Sequence, residues 1–184
     1  LAWNIWKAGH AKAEPDRGCE GVIGILKHSE ADVIRMVETY GSASRIADSL
    51  GFYHRLLSDN LCIFRRYPIK KTYTFPDKIS TFNFGGVEID MDGTSVRLFD
   101  TWLHYLPDMR LVPVGKTEEE ILAWDDEGTR DEEIKAILSV LQPFLDETDS
   151  IPVIIGGDFN SYSHLDWTTE TKDMLKLECI RKTE

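Results

Sequence analysis

The chain has 184 residues, 42% of them hydrophobic and 29% charged, and carries a formal net charge of −11. That length supports one domain with a sizeable core, or a large part of a bigger one. No apolar run is long enough to span a bilayer, and the acidic balance argues against an electrostatic nucleic-acid clamp, which needs a basic face.

A nuclease is still open on these grounds, because divalent cations can supply positive charge locally. An acidic protein acting on an acidic substrate is expected to depend on added metal and to be sensitive to salt. Cys19, Cys62 and Cys179 are too few and too scattered for a disulfide framework or a structural zinc site. Cys62 falls in an apolar strand and reads as a buried thiol. The chain opens L-A-W-N without an initiator Met, already in strand-like sequence. A removed N-terminal piece such as a signal peptide is expected, which leans the localisation toward export or the periplasm. The expected oligomeric state is a monomer.

Residues 1–6 (L-A-W-N-I-W) read as a strand, with Trp3 and Ile5 on one side and Asn4 and Trp6 on the other. A polar Asn4 near the end of a core strand needs hydrogen-bond partners or a ligand. Asp16 is placed to cap a helix running to about Lys27, with Val22, Ile25 and Leu26 inward and Gly18, Gly21 and Gly24 weakening it. Residues 32–38 (D-V-I-R-M-V-E) form a second strand that ends on a carboxylate, Glu38, which is either exposed at a rim or binds something. A short helix over 42–50 stops at Gly51, a C′ glycine.

Residues 52–57 and 61–64 pair as a hairpin around Ser58-Asp59-Asn60, and Arg65-Arg66-Tyr67-Pro68-Ile69 leads into more β sequence. A second hairpin joins 82–90 to 95–103, where Asp92-Gly93 is the turn signal. The segment 107–128 is charged and insertion-like, with Thr117 and Glu120 spaced as a capping box. Thr129 and Glu132 repeat that spacing and open an amphipathic helix with Ile134, Ile137, Leu138 and Leu141 inward.

That helix feeds residues 151–160, I-P-V-I-I-G-G-D-F-N. The apolar, β-branched run 151–155 reads as a buried strand. Gly156 and Gly157 are expected to end it in a flexible turn, with Asp158 and Asn160 on the rim beyond. Two short polar side chains there suit a metal, a water or a phosphate; solvated turn residues are the plainer alternative. Many strands with few helices point to an α/β protein with two packed sheets and helices outside, in a single domain over 1–184. In such a sandwich several strand ends meet at one rim. Asn4, Glu38, Asp158 and Asn160 can then converge although far apart in the chain, and one carboxylate with amide and water oxygens is a typical Mg2+ site.

These residues resemble the endonuclease/exonuclease/phosphatase superfamily, which includes DNase I-like nucleases, abasic-site endonucleases, neutral sphingomyelinases and inositol phosphatases. The resemblance rests on W-N-I-W around Asn4, M-V-E-T around Glu38, L-C-I-F-R-R-Y-P-I at 61–69 and G-G-D-F-N-S at 156–161, in the family's order across nearly the whole chain. W-N-I-W and S-H-L-D-W-T (163–168) are similar to a bacterial, often exported, subgroup of unassigned substrate.

The resemblance implies a DNase I-like four-layer α/β sandwich of two mainly antiparallel sheets, and a hydrolase using Mg2+ or Mn2+ on phosphate esters. It assigns metal binding to Glu38 with Asn4, handling of the attacking water to Asp158, and phosphate or metal support to Asn160. Asn60 falls at a substrate contact. His104 lies two residues beyond the family's strand-end His, in T-W-L-H; it either takes over the contact with phosphate or aligns with an L-H pattern of other branches, a satisfied surface histidine being the plainer alternative. His164 is placed to touch substrate, or else belongs to a loop anchored by Trp167. A late Asp and an S-D-H or G-D-H motif have no match after Asn160, so the domain is expected to be incomplete at its C-terminus. The enzyme reading is a metal-dependent phosphoesterase attacking phosphorus in line with an activated water. The alternative is a non-catalytic member that binds a phosphorylated ligand or partner.

Overall fold

The structure, a computed structural model, describes residues 1–10, 15–106, 117, 119–120, 123, 130–147 and 151–161. The chain divides into two compact units, Leu1–Trp102 with Ala136–Phe159 and Leu103–Lys135 with Asn160–Glu184. Among the described residues no helix is long and apolar enough to cross a membrane.

The first unit holds both sheets. One orders its strands β1-β2-β4-β3, from Ala2–Asn4 (β1), Val33–Val37 (β2), Tyr53–Leu56 (β3) and Leu61–Arg65 (β4). The other orders β5-β6-β7-β8, from Ile69–Tyr73 (β5), Phe84–Met91 (β6), Thr94–Trp102 (β7) and Val153–Asp158 (β8). Each sheet is mixed: β1 pairs parallel with β2 and β7 parallel with β8, while the remaining neighbours are antiparallel.

The alternation of side chains along each strand sorts the apolar residues into three layers. On the outer face of the first sheet, Ile34, Met36, Cys62 and Phe64 pack against Cys19, Val22, Ile23 and Leu26 of helix α1 (Pro15–His28) and Ala43, Ile46 and Ala47 of helix α2 (Ala43–Leu50). Between the sheets, Ile63 meets Val87, Ile89, Val96 and Leu98. On the outer face of the second sheet, Phe99 stacks on Phe84 at 5.4 Å and meets Phe144 of helix α3 (Arg130–Asp146) at 5.7 Å. Gly86 lies opposite Phe99 in the ladder, and a Cβ there would come 2.5 Å from the Phe99 ring. The result is the expected α/β sandwich with helices outside.

The turns behave as their chemistry dictates. Gly51 ends α2 with φ 67°, and Asp92 and Gly93 take φ 53° and 92° in the β6–β7 turn, the left-handed pair a tight hairpin requires. Helix α1 runs over Pro15–His28, which includes Asp16. The larger departure is at β8. The strand does not stop before the glycines but runs through Gly156 and Gly157 and ends on Asp158. Gly156 pairs with Asp100 and Gly157 with Thr101, and both glycines are required by what lies against them. A Cβ on Gly156 would sit 2.7 Å from the Arg35 guanidinium, and one on Gly157 would sit 1.9 Å from the Thr101 carbonyl oxygen.

Candidate active site

Parallel pairing brings the polar strand ends together. Asn4 is opposite Val37, so Asn4 and Glu38 leave the first sheet at the same edge. Asp158 is opposite Trp102 at the corresponding edge of the second sheet. The Asn4 amide joins the two sheets there: its Nδ2 donates to Glu38 Oε1 at 2.9 Å and to Asp158 Oδ2 at 2.8 Å. Its Oδ1 accepts the Trp6 backbone N–H at 2.8 Å, which holds the amide plane in place.

Glu38 is set by its backbone as much as by its partners. It adopts φ 62°, and Trp6, Lys7, Ala8 and Tyr40 nearby also have positive φ. Non-glycine residues in this region cost about 1–3 kcal/mol each and persist where surrounding bonds enforce them. Those bonds are present: the Ala8 N–H donates to the Glu38 carbonyl at 2.8 Å, and the Lys7 N–H donates to Glu38 Oε2 at 2.8 Å. Burial raises the Tyr40 phenol above its ordinary value, and the Glu38 charge pushes the same way.

Asn60, expected at a substrate contact, is fully buried at 0% exposure. Its Oδ1 accepts the Glu38 N–H at 3.0 Å and its Nδ2 donates to the Phe82 carbonyl at 2.9 Å. Both ends of the amide are spent on backbone, so Asn60 holds the Glu38 loop to the start of β6. A turn asparagine gave no sign of this in the sequence, because its partners come from the loop after β2 and the turn before β6.

Beneath the rim lie two ionisable residues that sequence reasoning did not single out. Arg35 Nη1 donates across to the second sheet, to the Phe99 and Ile154 carbonyls at 3.3 and 3.5 Å. It thereby ties the strand leading to Glu38 to the strand ending on Asp158, over the open space of Gly156. Asp100 is fully buried, and burial pushes its carboxyl up to about 8, against the opposing pull of Arg35 and the Thr101 and Met36 backbone. The folded protein therefore keeps a proton that the unfolded chain has lost over the range from about pH 4 to about pH 8. Stability is expected to fall as pH rises through that window, by on the order of 1 kcal/mol per pH unit at most. Asp100→Asn, which keeps the shape of the neutral acid, should flatten that slope in urea melts at pH 5, 7 and 9. An undiminished slope in the variant would assign it elsewhere.

In the second unit, Asn160 has φ 48°, and its Nδ2 donates to the Leu103 carbonyl at 2.6 Å while its own carbonyl accepts from Arg130 at 2.5 Å. The His104 backbone N–H donates to Glu133 Oε2 at 2.7 Å, and its Nδ1 accepts the Leu106 N–H at 3.2 Å. The Glu133 carboxyl is raised by burial. The capping box forms: Thr117 Oγ1 accepts from the Glu120 N–H, and Glu120 Oε2 from the Thr117 N–H. His164, Asp166, Trp167 and the alternating tail over 175–182 lie outside the described residues.

Among the described residues no three His, Cys, Asp or Glu side chains gather as a metal cage. The donor set nevertheless fits Mg2+. Two carboxylates approach within 2.9 Å of one nitrogen, next to an amide oxygen, all hard ligands or neighbours of them. Mg2+ keeps several waters and is commonly held by one or two carboxylates. A cation also offsets the repulsion between two partly buried negative groups.

The Endonuclease/Exonuclease/phosphatase family model matches residues 1–178. An uncharacterized protein of Caenorhabditis elegans is 24% identical over 194 residues, covering 94% of this chain and 56% of that protein. Truncated C. elegans TDP2 superposes with a TM-score of 0.64 at 16% identity, covering 88% of this chain and 61% of that one. A beta toxin variant from Staphylococcus aureus with bound magnesium ions gives a TM-score of 0.52 at 20% identity, covering 84% and 61%. The chain thus spans roughly six-tenths of the length of these relatives. The fold is DNase I-like, and the chain belongs to the endonuclease/exonuclease/phosphatase family.

Proposed function

We propose that this protein is a metal-dependent hydrolase of phosphate esters. The observation that carries this reading is the Asn4 amide, which holds Glu38 and Asp158 on one rim although they are far apart in sequence. Glu38, with the amide oxygen of Asn4, would hold Mg2+ or Mn2+; the relative solved with magnesium ions supports the choice of ion. The bound ion supplies positive charge that polarises the phosphoryl oxygen and offsets charge developing in the transition state.

The chain's own residues then do the positioning and proton transfer. Asp158 accepts a proton from the attacking water and aims it in line with the leaving group. Asn4 fixes the orientation of both carboxylates, and Lys7 holds the second oxygen of Glu38 through its backbone N–H. Because these groups are preset by strand ends and strained backbone, little reorganisation remains when substrate arrives.

The test is a panel of phosphomonoesters and phosphodiesters assayed with Mg2+, with Mn2+ and with chelator. Hydrolysis of at least one ester with metal is expected, with loss in chelator and recovery on adding Mg2+ in excess. Turnover that survives the chelator unchanged would overturn metal dependence. No turnover of any ester would overturn the enzyme reading.

A further inference from the structure

Glu38 follows a strand of the first sheet and Asp158 ends a strand of the second, so no ladder sets the distance between them. Apolar side chains such as Ile63, Val87 and Leu98 fill the space between the sheets, and apolar burial is not directional. Register at the rim therefore comes from hydrogen bonds. Arg35 supplies long ones, 3.3 and 3.5 Å, three residues before Glu38. The Asn4 amide supplies short ones, but its acceptors are the two carboxylates that a metal and a water would engage.

A further link runs below the rim and touches neither carboxylate. It starts at the Glu38 backbone N–H, which donates to Asn60 Oδ1 at 3.0 Å, and continues from Asn60 Nδ2 to the Phe82 carbonyl at 2.9 Å. The next residue, Asn83, closes onto the end of β7. Its carbonyl accepts the Trp102 N–H at 2.8 Å and the Thr101 hydroxyl at 3.1 Å, and its Nδ2 donates to the Trp102 carbonyl at 3.1 Å. Trp102 is the ladder partner of Asp158. The Phe82 and Trp102 rings meet edge-on at 5.6 Å alongside these bonds. The backbone of Asn60 is fixed as well: its N–H donates to Ser58 Oγ at 3.2 Å, and its carbonyl accepts the Thr39 N–H at 3.2 Å.

We infer that Asn60 and Asn83 are positioning residues that set the spacing of Glu38 and Asp158 through this hydrogen-bonded arc. A side-chain amide suits the place, because it offers an acceptor at one end and donors at the other without carrying charge. Asn60 is fully buried with both ends in use. The Glu38 backbone, at φ 62°, needs such a hold, since strained conformations persist only where the surroundings enforce them. Truncating Asn60 frees the Glu38 N–H and the Phe82 carbonyl together, and truncating Asn83 removes one bond while its main-chain links to Trp102 and Thr101 stay.

What the spacing serves is taken from the phosphoesterase reading, so the spacing itself is measured without turnover. The Asn4 side-chain NH2 donates to both carboxylates and reports their separation in the metal-free protein. Its NMR signals and hydrogen exchange are compared in the unsubstituted protein, Asn60→Ala, Asn83→Ala and Val96→Ala. The last loosens the apolar contact between the sheets at the far end of β7. Asn60→Ala is expected to shift the Asn4 signals and speed their exchange several-fold, Asn83→Ala to do so less, and Val96→Ala to leave them unchanged. Mn2+ affinity, read by calorimetric titration, should fall about tenfold in Asn60→Ala, the size of effect found when the support of a metal ligand is removed. At saturating metal, kcat should fall as well while KM for the ester changes little.

Unchanged Asn4 signals in a folded Asn60→Ala protein overturn the positioning role, and so does an equal change in Val96→Ala. If Asn60→Ala does not fold, unchanged signals in Asn83→Ala overturn it. Altered Asn4 signals in a protein that in its unsubstituted form hydrolyses no ester leave the positioning role standing and remove the phosphoesterase reading. Hydrolysis by the unsubstituted protein that Asn60→Ala matches in kcat and in Mn2+ affinity removes the positioning role and leaves the phosphoesterase reading.

Discussion

Asp158→Asn is expected to lower kcat by a factor of about 10²–10⁴, the usual contribution of a positioned acid or base, while leaving the fold intact. The substitution exchanges one oxygen for an NH2 group of the same shape at the end of β8. It removes the proton-accepting character of that side chain and turns the Asn4–Asp158 bond, 2.8 Å in the native chain, into an amide–amide contact. The loss should appear in kcat and kcat/KM together, because the proton acceptor acts in the transition state rather than in binding. Glu38→Gln should also abolish most activity but by a different route. It weakens the hold on the metal, so part of its defect should be recovered at high Mg2+ concentration, whereas that of Asp158→Asn should not. Full turnover in Asp158→Asn, with a metal requirement unchanged, would remove Asp158 from the mechanism.

Gly157→Ala should be the most destabilising of the single-methyl additions. Its Cβ would fall 1.9 Å from the Thr101 oxygen and 2.7 Å from the Thr101 nitrogen, both backbone atoms of the paired strand. The residue also has φ 143°, where L side chains are strained. Strain of about 1–3 kcal/mol and overpacking of a similar size together amount to roughly 2–6 kcal/mol. For a chain of this length that corresponds to a melting temperature lower by about 5–20 °C. Two controls separate the causes. Gly156→Ala meets the ends of the Arg35 side chain, which can shift, and should cost less. Gly93→Ala has φ 92° but no atom within 4 Å, so it isolates backbone strain alone. A thermal melt ranking Gly157→Ala with Gly93→Ala would show that the close approach of β7 and β8 is not needed.

The candidate site was partly legible in the chain because its residues end apolar strands. Asn4, Glu38 and Asp158 each close an apolar strand, and a polar side chain in that position must find a partner or a ligand. Gly51 and Asp92-Gly93 were equally legible, since a helix C-terminus and a tight hairpin require φ values that few residues accept. These features are local: the residue type and its immediate neighbours decide the conformation.

What only the tertiary structure decided is non-local. Gly156 and Gly157 look like a turn in one dimension, yet they sit within a strand because Arg35 and the Thr101 backbone occupy the space of their missing side chains. Asn60 looks like a hairpin-turn residue, yet it is buried as a clamp on Glu38. Asp100 gives no signal in F-D-T-W, because a buried carboxyl is defined by the opposite sheet rather than by its neighbours. The sequence by itself determined which residues end the strands and hence which chemistry stands at the rim. Pairing of β1 with β2 and of β7 with β8 decided that these ends share one edge, and close packing of the two sheets decided how they are held.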